Sequence, residues 1–252
     1  MIFKSLQLSL FMALYLVGLG TDSHSISVEA QEAIKECSAI YLEGYTVNFP
    51  YPLDSLDFLG NIEVLKREDV EDERIVQRAK KENVALLVYG NPLIATTHMQ
   101  LIYSCIEKNI KYRIFHNASI FDSVAETGLE GYKFGKTCSI PDWKEHKTKP
   151  TSFAEYIKEN LSIGAHTLVL VDIGLSLPEA LEELEIACSE RNVLLPEQII
   201  VLSKAGTKSQ KIFYGKRKDF SQKIVDMPFC VVVPATLNSF EEKFLLAVSR
   251  QI

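Results

Sequence analysis

The sequence predicts an α/β protein built from two α/β domains, each a mainly parallel sheet covered by helices. Three observations carry the prediction. Strand-like and helix-like segments alternate almost without break from Ala13 to Val248, as they do where strands are joined by crossover helices. The strongest strand segments are nearly uninterrupted apolar runs, Val84-Ala-Leu-Leu-Val88 above all, as expected for strands buried on both faces. The alternation also passes through two cycles, in a chain whose 252 residues suffice for two domains of ordinary size.

Taken in order, Ala13 to Val17 forms the first core strand and ends at Gly18-Leu-Gly20. A helix after Ser27 carries Ala30, Ala33, Ile34 and Cys37 on one face at helical spacing. Ala39 to Leu42 and Ile62 to Leu65 are short strands, followed by a charged helix near Glu71 to Lys81. Val84 to Val88 runs into Gly90-Asn-Pro92. The next helix places Met99, Ile102, Tyr103 and Ile106 on one stripe, before a strand at Tyr112 to Phe115. The second cycle begins after His116-Asn-Ala118. It holds a strand at Thr137 to Ile140 and a polar loop from Pro141 to Pro150. Ser152 then caps a helix that buries Phe153, Tyr156, Ile157 and Leu161 and stops at Gly164. His166 to Ile173 is the strongest strand of this half. Ser176-Leu-Pro-Glu179 is a capping box that opens a helix through Leu181, Leu184 and Cys188. Strands at Gln198 to Leu202, Ile212 to Tyr214 and Phe229 to Val233 precede a closing helix from Phe240 to Val248. The expected domains are 12–117 and 118–252, behind an N-terminal extension, 1–11.

Composition removes several classes of function. Hydrophobic residues are 47% and charged residues 24% of the chain, a globular balance that excludes disorder. The net charge is −6 with Lys and Arg scattered, so the basic stripe that nucleic acid requires is absent. Residues Leu6 to Leu19 are mostly apolar behind a single Lys4, but one basic residue, no small-x-small cleavage site and a short stretch argue against a signal peptide or membrane span. The five cysteines, Cys37, Cys105, Cys138, Cys188 and Cys230, lie far apart with no Cys-x-x-Cys pair. Neither a disulfide framework nor a metal site is expected, and the thiols fit a reduced, cytoplasmic protein.

In open α/β sheets ligands bind beyond the carboxyl ends of strands. Here those ends carry Gly18-Leu-Gly20, Gly90-Asn-Pro-Leu-Ile-Ala-Thr-Thr-His98, Asn117-Ala-Ser-Ile120, Val171-Asp-Ile-Gly174 and Ser203-Lys-Ala-Gly206. Glycine lets a ligand approach the backbone, although Ser23 stands where a dinucleotide fingerprint needs its third glycine. On physics alone these segments are equally well turns and helix caps, with Thr96 or Thr97 capping the helix that follows. No Gly-x-Ser-x-Gly elbow, His-Glu-x-x-His or phosphate-binding Gly-x-x-x-x-Gly-Lys occurs. His24, His98, His116, His146 and His166 do not cluster at ligand spacing.

At these strand ends the chain resembles the diphthine synthase family, within the superfamily of tetrapyrrole-type methylases. The resemblance is carried in order by Tyr15-Leu-Val-Gly-Leu-Gly20, Arg67-Glu-Asp-Val70, Gly90 to His98, His116-Asn-Ala-Ser-Ile120, Tyr132-Lys-Phe-Gly135 and His166-Thr-Leu-Val-Leu-Val-Asp-Ile173. It implies a homodimer in which S-adenosyl-L-methionine binds in a cleft between the two α/β domains and leaves as S-adenosyl-L-homocysteine. It implies as acceptor the amine of an aminocarboxypropyl group on a histidine of translation elongation factor 2. Carried over position by position, cofactor contacts fall on Thr21, Asn91, Ile94, Ser119, Ile120, Val171, Ala205 and Phe229; no catalytic residue is assigned. The chain departs from the family where Asn91 replaces the usual Asp, Gly174 a common Lys, and Phe229 a common His. The family includes members that trimethylate and members that add a further methyl ester. A relative acting on a tetrapyrrole or ribosomal RNA, or a binding module that has lost catalysis, are the alternatives.

Overall fold

The computed structural model describes residues 12–249; the expected extension 1–11 lies outside them. The chain packs as two units, one formed by residues up to Thr46 and Tyr51–Ser119, the other by Val47–Pro50 and Ile120 onward. The sequence places the junction between 117 and 118; in the fold it falls two residues later, and a short loop segment joins the second unit. Asn48 fixes that segment, donating from Nδ2 to the Ile173 carbonyl at 3.0 Å.

In the first unit, β1 (Ala13–Gly18), β2 (Ala39–Glu43), β3 (Ile62–Leu65), β4 (Val84–Val88) and β5 (Lys111–Phe115) form a sheet in the order β3-β2-β4-β1-β5. Every neighbouring pair is parallel. All residues of β1 and β4 are buried, which is why both are apolar throughout. Helix α1 (Val28–Ile34) is capped by Ser27, whose hydroxyl accepts the Ala30 N–H at 3.1 Å. The charged helix expected near 71–81 is two short ones, α2 (Arg67–Glu71) and α3 (Arg74–Ala79). They are separated at Glu73, whose φ of 63° no helix continues. Helix α4 (Met99–Glu107) buries Leu101, Ile102 and Cys105 against the sheet, together with Ile75, Val76 and Ala79 of α3. The expected stripe is thereby corrected: Met99, Tyr103 and Ile106 are exposed, because the helix is apolar on two faces and the sheet takes the other.

The second unit holds α5 (Ile120–Ser123), β6 (Cys138–Ile140), α6 (Phe153–Ser162), β7 (Thr167–Val171), α7 (Leu177–Glu190), β8 (Gln198–Ser203), β9 (Lys211–Lys216), β10 (Phe229–Val233) and α8 (Ser239–Val248). Its sheet runs β6-β7-β10-β8-β9. Only β6 and β7 are parallel; β10 is antiparallel to both β7 and β8, and β8 to β9. The α/β class holds, and the expectation of mainly parallel strands holds for the first sheet alone. The cause is that burial, not direction, makes a strand apolar. Val169, Val201 and Val231 pack with α6 and α7 on one face, while Leu168, Leu202 and Val232 pack with Val124 and Leu245 on the other. Covered on both faces, an antiparallel strand has the same composition as a parallel one.

Two polar networks tie this unit together. Glu241, fully buried, accepts from Lys133 Nζ (2.8 Å), the Asn238 and Glu130 N–H groups (2.8 and 3.1 Å) and His166 Nε2 (3.0 Å). Asn160, 2% exposed, bonds Lys136 N–H and O and the Thr167 hydroxyl. A Cβ on Gly135 would lie 2.1 Å from Asn160 Oδ1. The Tyr132-Lys-Phe-Gly135 segment is thus bound into the scaffold. Ser176 and Glu179 form the expected capping box of α7. Ser152, by contrast, has helical backbone and makes no capping bond, and Tyr156 is exposed rather than buried. Among the described residues no helix is long and apolar enough to cross a membrane.

Candidate active site

The carboxyl ends of β1, β4 and β5 converge because their strands are adjacent and parallel. Gly20 and Gly90 lock two of them by exchanging backbone bonds, Gly20 N–H to Gly90 O at 3.1 Å and Gly90 N–H to Gly20 O at 2.9 Å. Both glycines have positive φ, 75° and 69°, and a Cβ on Gly18 would sit 2.7 Å from the Gly90 carbonyl. Glycine is therefore required here by close approach as well as by backbone conformation.

Asn117 ties in the third strand end. Its Nδ2 donates to the carbonyls of Gly18 and Ser25, each at 3.0 Å, and its Oδ1 accepts the Ala118 N–H at 2.8 Å. Asn91 completes the cluster: Oδ1 accepts the Leu93 N–H at 3.1 Å and Nδ2 donates to the Asn117 carbonyl at 3.1 Å. A carboxylate at position 91 could not make the second bond, so the Asn91 departure carries its own local compensation. Thr96 does not cap α4; its hydroxyl turns back to the Pro92 carbonyl at 2.8 Å, and His98 occupies the cap position.

Of the expected contacts, Thr21, Asn91, Ile94 and Ser119 stand in these loops of the first unit. Thr21 and Ser119 are each 5% exposed, and the Thr21 carbonyl accepts the Tyr89 hydroxyl at 3.1 Å. In the second unit, Val171 ends β7, Ala205 follows β8 and Phe229 opens β10, all at one end of the sheet, with Phe229 opposite Ser203. Ile120 begins α5 and packs on the core that includes Ala205. Gly174 lies against Asp142, whose Oδ2 would be 2.6 Å from an added Cβ, so the Lys common in the family meets a carboxylate here.

Sequence reasoning missed Glu43, Tyr89 and the part played by the Asn117 side chain. An acid at the end of a strand and a lone tyrosine carry no motif; only the fold shows Glu43 to be buried, 1% exposed, and the Tyr89 hydroxyl to be turned to Thr21. Burial raises the Tyr89 and Tyr51 phenols, and it pushes the Cys105 thiol up to about 11 and the other four to about 12. Thiols so raised are protonated and poor nucleophiles at neutral pH.

The profile of the family described as Tetrapyrrole (Corrin/Porphyrin) Methylases matches residues 13–221. Fold and match together define the class: an S-adenosylmethionine-dependent methyltransferase. The chain is 34% identical to a diphthine methyl ester synthase of Schizosaccharomyces pombe, over 92% of this chain and 93% of the relative. It is 35% identical to a diphthine synthase of Methanosphaera stadtmanae, over 94% and 95%. A crystal structure of a diphthine synthase superposes with a TM-score of 0.84 at 31% identity, covering 94% of this chain and 96% of that one. The chain belongs to the diphthine synthase family.

Proposed function

We propose that the chain transfers methyl groups from S-adenosyl-L-methionine to the amine of the aminocarboxypropyl-modified histidine of translation elongation factor 2, a step of diphthamide biosynthesis. The observation that carries the reading is the cluster of strand ends at Gly18, Gly20, Gly90, Asn91 and Asn117, within a chain matched over nearly its whole length by diphthine synthases. The residues present fit the cofactor. In the first unit, paired glycines leave the backbone open to close approach and Thr21 and Ser119 bring hydroxyls; in the second, Val171, Ala205 and Phe229 bring small or apolar surface to one end of its own sheet.

When bound, S-adenosylmethionine supplies a sulfonium methyl already activated for displacement. The protein's share is position and dryness. Asn91 and Asn117 hold the loops in register, the backbone groups of Ile94 and Ser119 stand beside them, and the acceptor amine attacks in its neutral form. No side chain is required as general base, since solvent takes the proton. The acidic net charge disfavours nucleic acid as a substrate, the five free cysteines suit a reducing, cytoplasmic setting, and the family resemblance supports a homodimer.

The test is a single incubation of the chain with methyl-labelled cofactor and elongation factor 2, with and without the aminocarboxypropyl group. Label is expected only on the modified factor. Equal labelling of the unmodified factor would exclude this acceptor.

A further inference from the structure

Glu43 ends β2 and His98 stands at the N-cap position of α4; each is 1% exposed, and the methyl-transfer reading uses neither. His98 Nδ1 lies 3.0 Å from the Pro92 carbonyl oxygen. A carbonyl only accepts, so Nδ1 carries the hydrogen, and the neutral ring presents a bare lone pair at Nε2. That Nε2 faces Glu43 Oε1 at 3.7 Å, and neither atom has a hydrogen-bond partner among the described residues. The other carboxyl oxygen is occupied by the Thr46 hydroxyl, at 3.0 Å.

An ionised Glu43 would set lone pair against lone pair in a buried place, which is costly. One proton between Oε1 and Nε2, covalently on either atom, satisfies both. The surroundings favour it. Burial raises the Glu43 carboxyl to about 7 against the opposing pull of Thr46, Arg67 and Tyr45, and burial lowers His98 against its bond to Pro92. Those are the groups that face the pair, with Glu71 acting on Tyr45. The 3.7 Å gap is wider than a formed hydrogen bond, and a loop movement of roughly half an ångström closes it. The moving part is the segment from Gly90 to Thr97, because His98 holds its Pro92 carbonyl.

We propose that Glu43 and His98 are a positioning pair that, by holding one proton between them, draws the Gly90–Thr97 loop onto β2 and sets Asn91 and Ile94 for the cofactor. This rests on the reading of that loop as a cofactor loop. It makes cofactor affinity depend on pH through a group that touches no substrate. It also assigns a structural reason to the histidine that ends the Gly90–His98 motif.

Glu43→Gln is the discriminating variant. Its amide NH2 donates to His98 Nε2 at every pH, while its oxygen still accepts from Thr46, so it mimics the protonated carboxyl permanently. S-adenosylmethionine affinity is measured by calorimetry from pH 6 to 8.5 for the parent, Glu43→Gln, His98→Ala and Asn91→Trp; the ratio of parent to Glu43→Gln cancels titration of the ligand itself. At pH 6 the two should bind alike. By pH 8.5 the parent should be about tenfold weaker than Glu43→Gln, as the shared proton is lost. His98→Ala should be weak at every pH. A parent-to-Gln ratio that stays flat, or a Glu43→Gln variant already weak at pH 6, overturns the proposal. If Asn91→Trp binds as tightly as the parent, the loop is not a cofactor loop and the reading beneath the proposal fails; if Asn91→Trp abolishes binding while the ratio stays flat, the positioning pair alone fails.

Discussion

Replacing Glu241 by Ala is expected to destabilise the second unit by about 3–5 kcal/mol, the range for removing one partner of a buried charge network. The magnitude follows from what is stranded. The His166 Nδ1 accepts the Ala235 N–H at 2.9 Å, so its Nε2 carries the hydrogen and donates to Glu241. Truncation leaves that N–H and two backbone N–H groups without their acceptor, and leaves the Lys133 ammonium with the Thr236 carbonyl alone. The pH dependence reads the same network from the side of the carboxylate. Burial by itself would raise the Glu241 carboxyl, but Lys133, the Asn238 and Glu130 N–H groups and His166 hold it at about 2, below the ordinary 4.5. A carboxylate lowered on folding contributes stability that is complete above about 4.5 and is lost as pH falls through about 2. That drop corresponds to about 3 kcal/mol, consistent with the truncation range. The assay is urea unfolding followed by fluorescence of Trp143, the one tryptophan of the chain, buried in this unit with its Nε1–H on the Pro150 carbonyl. The parent should lose stability between pH 5 and pH 2 more steeply than Glu241→Ala. A variant within about 0.5 kcal/mol of the parent, or an acid slope unchanged by the substitution, would refute the assigned network.

Gly135→Ala forces a Cβ against the Asn160 side chain and should cost about 1–3 kcal/mol in the same fluorescence assay, the range for overpacking; no change would show that Asn160 yields freely. Asn117→Ala removes two bonds, to the carbonyls of Gly18 at the end of β1 and of Ser25, and one from Ala118. It should weaken S-adenosylmethionine binding about tenfold by calorimetry while leaving the Trp143 transition in place, and unchanged affinity would count against the strand-end site. His116→Gln should lower the single-turnover methyl-transfer rate far less than the roughly hundredfold a general base supplies, with a rate that rises with pH and levels off. A bell-shaped profile abolished by this substitution would instead make His116 the base.

The order of the elements was legible because local physics marks each one. Apolar runs mark β1, β4 and β10, Ser27 and the Ser176–Glu179 box mark helix starts, and Gly164, with φ of 73°, marks a helix end. What was not legible depends on which neighbour an element meets. Strand direction in the second sheet leaves no trace in composition once both faces are covered. Helix α4 offers two apolar stripes, and only the position of the first sheet chooses Leu101, Ile102 and Cys105 over Met99, Tyr103 and Ile106. The end of β2 shows the same limit from the polar side. Glu43 was invisible as a buried acid because its partner His98 lies 55 residues away in sequence and far from it in pattern.

For the candidate site, the motifs that looked alike in sequence separate into two jobs. Tyr132-Lys-Phe-Gly135 and His166 helped mark the resemblance, yet Lys133 and His166 both end on the Glu241 carboxylate, and Gly135 is required by Asn160. A buried network tolerates no unpaired member, and it accounts for these residues without a ligand. Gly18-Leu-Gly20, Gly90-Asn-Pro92 and His116-Asn-Ala118 differ in kind. Gly20 and Gly90 pair backbone to backbone, and the Asn91 and Asn117 side chains bond backbone groups at the strand ends, so these residues hold the loops in place. A motif whose side chains end on a buried carboxylate or amide is accounted for as scaffold; a motif at the carboxyl ends of adjacent parallel strands stands where ligands bind in open α/β sheets. By that criterion the family-marking residues of the second unit explain why it folds, and the strand-end residues of the first are where loss of cofactor binding should be sought.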